Sequence, residues 1–134
     1  MRSVTTSYDT SRSRFTDITR DVARFVAKDG GDGLVNVFVP HATAGLALME
    51  TGSGSEQDLE TVLERVLPRA LDYRHSHGSP GHGADHLLPA FLPPSLVIPV
   101  AGGELQLGTW QSIVLVDLNR DNVDRRVRLS FVAG

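Results

Sequence analysis

No cysteine occurs among the 134 residues, and that absence alone removes disulfide staples, thiolate nucleophiles and cysteine-based zinc sites. Any transition-metal site in this chain has to be built from His, Asp or Glu. No apolar run approaches the roughly 18 residues that a membrane helix requires, and the opening MRSVTTSYDTSRSRF has no signal-peptide hydrophobic core. The expected location is therefore cytoplasmic, with no membrane partner. An excess of base is also missing. The chain has 13 basic and 16 acidic side chains and a formal charge of -3, which argues against nucleic acid, whose phosphates call for Lys and Arg gathered on one face. The rest of the composition is ordinary, with 40% hydrophobic and 22% charged residues, so neither disorder nor a fibrous repeat is indicated. The length suits a single domain over residues 1–134 with one sizeable core.

Hydrophobic patterning divides the chain. RSVTTSY, residues 2–8, is β-branched and aromatic and reads as a strand, followed by the polar turn DTSRS. From Thr16 to Lys28 the apolar residues Ile18, Val22, Phe25 and Val26 fall on one face of a helix that Thr16 or Asp17 starts and Gly30-Gly31 ends. LVNVFV, 34–39, lies between Gly33 and Pro40 and reads as a buried strand. HATAGLALME allows a helix, but Gly45 and the flanking turn residues favour a strand beginning after His41. In SEQDLETVLERVLP, Ser55 and Asp58 suggest a capping box, and Leu59, Val62, Leu63, Val66 and Leu67 form an apolar stripe closed by Pro68. Residues 69–94 read as irregular, and a loop of that length in a small domain is functional or disordered. SLVIPV, ELQLGTW, QSIVLVDL and RRVRLSFVA then read as an antiparallel meander, with a turn at Ala101-Gly102-Gly103. The expected fold is α+β: a two-sheet antiparallel β-sandwich, jelly-roll-like, with two helices.

With cysteine absent, the histidines decide whether a metal is plausible, and four of the five lie in RHSHGSPGHGADH, residues 74–86. His82 and His86 have the four-residue spacing of the HExxH zinc motif, but Gly83 weakens a helix and the essential Glu is absent, so that motif is set aside. DLNRDNVD, 117–124, has the alternating acidic and amide groups of a calcium loop, yet Asn122 stands where glycine is needed and Arg128 where a bidentate Glu is needed. Asp117 itself ends an apolar strand, either as a turn residue or as a site carboxylate. GSGS, 52–55, precedes a helix without the GK[ST] of a P-loop and reads as a plain helix entry. Arg125 and Arg126 can clamp phosphate, although strand neighbours point to opposite faces and at most one aims into a given site. Trp110-Gln111 reads either as core packing or as an amide beside a pocket.

Taken in order, His41-Ala42-Thr43-Ala44, Glu50, Tyr73-Arg74-His75, Gly83-Ala84-Asp85-His86-Leu87, Ile98-Pro99-Val100, Leu107-Gly108-Thr109-Trp110-Gln111, Asp117 and Arg125-Arg126 resemble the YjbQ-like family, also called the secondary thiamine-phosphate synthase family. LGTWQ followed six positions later by an acidic residue is the most specific part. The resemblance implies a homotrimeric α+β domain with sites near the subunit contacts, and a transferase joining a pyrimidine diphosphate to a thiazole phosphate with release of pyrophosphate. It brings His41, His75 and His86 together as a triad, and the chemistry of three converging imidazoles with one open ligand position makes that triad a candidate for a divalent metal, zinc or magnesium. Asp117 and Glu50 fill the family's acidic positions and are the candidates for proton handling or ligand support, and Thr43, Gln111, Arg125 and Arg126 are the candidates to bind a phosphorylated small-molecule substrate. His77 and His82 are left to the intervening loop. Two departures bear on the substrate: Met49 stands where the family often has Asn, and Leu87-Leu88 where it often has Lys. The alternatives are a non-enzymatic trimeric metal- or metabolite-binding protein and a metal-dependent hydrolase.

Overall fold

The computed structural model describes all 134 residues. The strands are β1 Arg2–Asp9, β2 Phe15–Asp17, β3 Gly33–Phe38, β4 Gly45–Met49, β5 Ser95–Ala101, β6 Glu104–Leu105, β7 Ser112–Val116 and β8 Asp124–Ala133; the helices are α1 Thr19–Ala27, α2 Ser55–Val66 and α3 His82–Phe91. Two antiparallel sheets form, one in the order β1-β8-β3-β5-β6 and the other β2-β7-β4.

The run Ile113-Val114-Leu115-Val116 explains how the layers stack. Successive strand residues point to opposite faces, so an unbroken apolar run calls for cover on both. Ile113 and Leu115 join Val35, Val37, Ile98 and Leu129 of the larger sheet and Val22, Phe25 and Val26 of α1 in one core. Val114 and Val116 join Leu63 and Leu67 on the α2 side and Ala84 and Leu88 of α3 in a second. The smaller sheet thus lies between the larger sheet and α2 with α3, and each fully buried Val, Leu or Ile contributes about 1.5–3 kcal/mol.

Several local expectations are corrected. There are three helices, because His82–Phe91 is helical inside the stretch read as irregular. A Cβ at position 83 would lie 2.5 Å from the His75 carbonyl oxygen and 2.6 Å from Tyr73 Cβ, so Gly83 serves a close approach of two backbones and does not break the helix. Only Glu104–Leu105 of ELQLGTW pairs as a strand; LGTWQ turns, with Gln111 N–H donating to the Gly108 carbonyl at 3.0 Å. The capping box of α2 is not made. Gly54, at φ 90°, caps the helix, and the Glu56 carboxylate reaches back to Gly52 N–H at 3.1 Å. Along α2, Val62 and Val66 face outward, while Leu63 and Leu67 are buried.

Helix α1 starts at Thr19, later than the pattern suggests, because the preceding Phe15–Asp17 pairs with β7. Its position on the larger sheet is held by Tyr8 of β1, whose hydroxyl donates to Asp21 Oδ2 at 2.7 Å. That bond, followed by the Arg24 contact, keeps the Asp21 carboxyl below the usual carboxylate range. A carboxylate depressed in the folded state stabilises above its unfolded value of about 3.9, and the contribution is lost as pH falls through the folded value. Tyr8→Phe is expected to cost about 1 kcal/mol at neutral pH and to make the acid loss shallower below about pH 4. Urea midpoints measured across that range check both.

Candidate functional site

Arg125 is the largest fully buried side chain, at 1% exposure. A guanidinium there requires a buried counter-charge, and Asp117 at the end of β7 provides it, accepting from Arg125 Nε at 2.7 Å and Nη2 at 2.9 Å. Arg125 Nη2 also donates to Thr43 Oγ1 at 2.8 Å. The remaining capacity of the Asp117 carboxylate is taken by Thr10 Oγ1 at 2.6 Å and Asn119 N–H at 3.0 Å. All these groups are buried, so the pair ties the end of one sheet to the start of β8 in the other.

The connection from 117 to 124 is built from short side-chain-to-backbone bonds. Asn119 Oδ1 accepts from the N–H groups of Asp121 at 2.9 Å and Asn122 at 3.2 Å, and Asn122 Oδ1 accepts from Asp124 N–H at 3.1 Å. The alternating acidic and amide pattern of DLNRDNVD therefore shapes its own turns. On its other side Asn119 Nδ2 donates to Asp85 Oδ2 at 2.9 Å, and Asp85, 1% exposed, is paired with Arg69.

Where this loop meets α3, imidazoles gather. One nitrogen each from His75, His82 and His86 lies within 4.8 Å of the others. Ring centroids are 5.0 Å apart for His75 and His82, 4.2 Å for His75 and His86, and 4.5 Å for His82 and His86. One helical turn places His82 and His86 on the same face, and the approach allowed by Gly83 brings His75 over it. His77 packs 4.2 Å from His75. Partial loss of hydration first, then the neighbouring rings, push the His86 value, and that of the more exposed His75, below that of a free histidine. Both therefore stay neutral, the form that ligates metals, to lower pH than a free imidazole does. His82 Nδ1 lies 2.9 Å from Asp121 Oδ2, and this contact is the main cause holding Asp121 down at about 2. A cavity of about 270 Å³ opens here, lined by Tyr73, His75, His77, Ser79 and His82.

The sequence-predicted residues fall into separate groups. Thr43, Asp117 and Arg125 are together in the buried cluster. His41 stands beside them, its Nε2 accepting the Arg126 N–H at 2.9 Å, and burial followed by Arg125 lowers its value. Within one chain His41 is not part of the imidazole cluster; the third imidazole beside His75 and His86 is that of His82, which belongs to α3 and not to a solvated loop. Its signal in the sequence was the four-residue step to His86. Asp85 and Arg69 had no local signal, and the alternating pattern of DLNRDNVD marked Asn119 and Asp121 without showing that they reach Asp85 and His82 across the fold. Arg126 is exposed. Glu50 and Gln111 sit at the far end of the smaller sheet, next to the Met49–Ser112 pair. The six residues from Gln111 to Asp117 span about 20 Å of strand. Gln111 Oε1 accepts from Gly108 N–H at 2.8 Å and leaves Trp110 72% exposed.

Two antiparallel sheets, three helices and an imidazole-lined pocket define an α+β domain with a concentrated donor set. The chain belongs to the family of UPF0047 YjbQ-like proteins, whose profile matches residues 4–134. It is 64% identical over 126 residues to the UPF0047 protein Mb2586c of Mycobacterium bovis, covering 94% of this chain and 97% of that one. To UPF0047 protein YugU of Bacillus subtilis it is 32% identical over 114 residues, covering 82% and 83%. The crystal structure of a YbjQ-like protein of unknown function from Sulfolobus solfataricus P2 superposes with a TM-score of 0.92 at 28% identity, covering 99% of this chain and 97% of that one. No helix is long and apolar enough to cross a membrane.

Removing one partner of a buried ion pair strands the other charge, at about 3–5 kcal/mol. Asp117→Ala is expected to lose that much stability in urea unfolding. Asp117→Ala combined with Arg125→Met should recover most of it, since the unpaired charge is then gone.

Proposed function

We propose that this protein is a metal-dependent enzyme acting on a phosphorylated small molecule, with the thiamine-phosphate synthase reaction as the leading candidate. The observation that carries this reading is the convergence of three imidazole nitrogens beside an open cavity. In that reaction the thiazole ring nitrogen bonds to the methylene carbon of the pyrimidine while the carbon–oxygen bond to pyrophosphate breaks, and the electron pair leaves with the pyrophosphate. A divalent ion bound here would supply positive charge beside the leaving group. His75 and His86, held neutral, offer lone pairs to such an ion. The exposed Arg126 is the residue of the pair able to meet a phosphate, because the Arg125 guanidinium is committed to Asp117 and Thr43. With four hydrogen bonds, Asp117 acts in this reading as the support that positions Thr43 and the Arg126 backbone under His41, and proton handling is left to other groups. A second cavity of about 470 Å³ shares Arg69 and has an apolar floor of Leu63, Leu67, Ala84 and Leu88, suited to a ring.

The same reading includes assembly into a homotrimer. The outer face of the larger sheet supports it: Leu34, paired with Pro99 on one side and Val132 on the other, forms with Val97 and Phe38 an exposed apolar strip. Contiguous apolar surface of this kind marks interaction sites. An assembly also offers a way for Glu50 and Gln111 of one copy to reach a site on another.

Purified protein supplied with the pyrimidine diphosphate, the thiazole phosphate and a divalent ion is expected to release pyrophosphate. Chelation or His86→Ala should lower the rate by about 100-fold or more, with the same difference seen in complementation of a thiamine auxotroph. Ion binding with no turnover on these substrates would instead favour a binding protein. Val97→Asp is expected to shift the sedimentation coefficient from trimer to monomer, and a monomeric parent would refute the assembly.

A further inference from the structure

His82 is the residue that neither the family resemblance nor the isolated motif singled out, and it holds the most distinctive atom of the pocket. Among buried side-chain nitrogens and oxygens only His82 Nε2 and Ser79 Oγ lack a hydrogen-bond partner, and both residues line the same 270 Å³ cavity. A buried polar atom left unpartnered costs about 1–3 kcal/mol, so a native structure that keeps one needs a reason for it. The opposite nitrogen of the same ring is not idle. Nδ1 is 2.9 Å from the Asp121 carboxylate, which places the proton on Nδ1 and leaves the lone pair on Nε2. A ring fixed by a carboxylate behind it with a bare nitrogen in front is the arrangement of metal-bound histidines.

We propose that His75, His82 and His86 form a mononuclear site for a zinc-class ion with one exchangeable position, and that Asp121 positions His82 as its third ligand. The proposal rests on the reading of this pocket as a metal site and goes beyond it by fixing the ligand set, the orienting residue and the class of ion. Three imidazoles suit zinc, cobalt or nickel, whereas magnesium demands oxygen ligands and retains its waters. Bonds of about 2.0–2.1 Å set tetrahedral ligand nitrogens about 3.4 Å apart, and the present separations, all within 4.8 Å, close to that by small side-chain rotations. Three protein ligands leave the fourth position for water or substrate, the pattern of a catalytic ion. Asp121 also connects this site to the rest of the fold, because its backbone N–H is held by Asn119, whose own N–H is held by Asp117.

The test uses full-length protein stripped with a chelator and titrated separately with zinc, cobalt(II) and magnesium. One zinc or cobalt ion per chain is expected, with the intense visible absorption of four-coordinate cobalt, and magnesium at millimolar concentration should not compete. His82→Gln should lose zinc affinity by at least 100-fold. Asp121→Asn should weaken it by about 10–100-fold and shift the cobalt spectrum, with Asp121→Glu restoring part of it. His41→Ala and His77→Ala should bind as the parent does, and thermal melts of each stripped variant control for folding. If the parent binds the ion, and His82→Gln and Asp121→Asn bind it equally well while His41→Ala does not, this ligand set is overturned and the metal-dependent function survives on the other triad. If the parent binds no first-row ion at all, both the site and the functional reading fail.

Discussion

The ion pair between Arg125 and Asp117 is the constraint on which the rest of the arrangement depends. Both groups are within 1% of complete burial, and charges so placed persist only when they are paired and supported by further hydrogen bonds. That support recruits Thr10 from the end of β1, Thr43 from the segment before β4 and the backbone of Asn119. The pair therefore fixes how the two sheets meet at one end and how the chain leaves β7.

From that exit the geometry passes along a chain of polar contacts. Asn119 shapes the turn that presents Asp121 and also braces Asp85 on α3, which Arg69 holds from the other side. Asp121 meets His82 one helical turn from His86. The imidazole cluster is thus held by a polar relay beginning in the core, and a rigid scaffold behind a donor set is what a site needs for its geometry to persist. A long, glycine-rich segment such as 69–81 would not supply such rigidity alone. It is held by the tyrosine and histidine packed against Gly83 and by Tyr73 Oη donating to the Pro68 carbonyl at 2.8 Å.

The two ends of the smaller sheet have different characters. At the Asp117 end the polar network is dense and inward-facing. At the Gln111 end the LGTWQ turn leaves a tryptophan in solvent, and the larger sheet presents an apolar strip on its outer face. A chain this small does not bring both ends to one pocket, because β7 separates them by its full length. A functional unit that uses Glu50 and Gln111 together with Asp117 has to draw them from more than one copy.

Much of this was legible from local pattern. Alternation and short apolar runs located β1, β3, β5, β7 and β8, and the 3.6-residue period located α1 and α2, because those periods report directly which side of an element is buried. The α+β class was likewise present in the sequence, whereas His75 and His86 were grouped only through the family resemblance, and there with His41; their approach to each other is a finding of the structure. Helix α3 was not legible, since a glycine after a histidine reads as a helix breaker until the backbone it admits is seen. Nor was the separation of His41 from the other imidazoles, nor the commitment of Arg125 to Asp117, eight residues away along the chain. By itself the sequence determined which residues could ligate, pair or pack, because those are properties of side chains and their spacing. The tertiary structure alone decided which of them meet: long-range contacts depend on how two sheets and three helices close around their cores, and no local period encodes that.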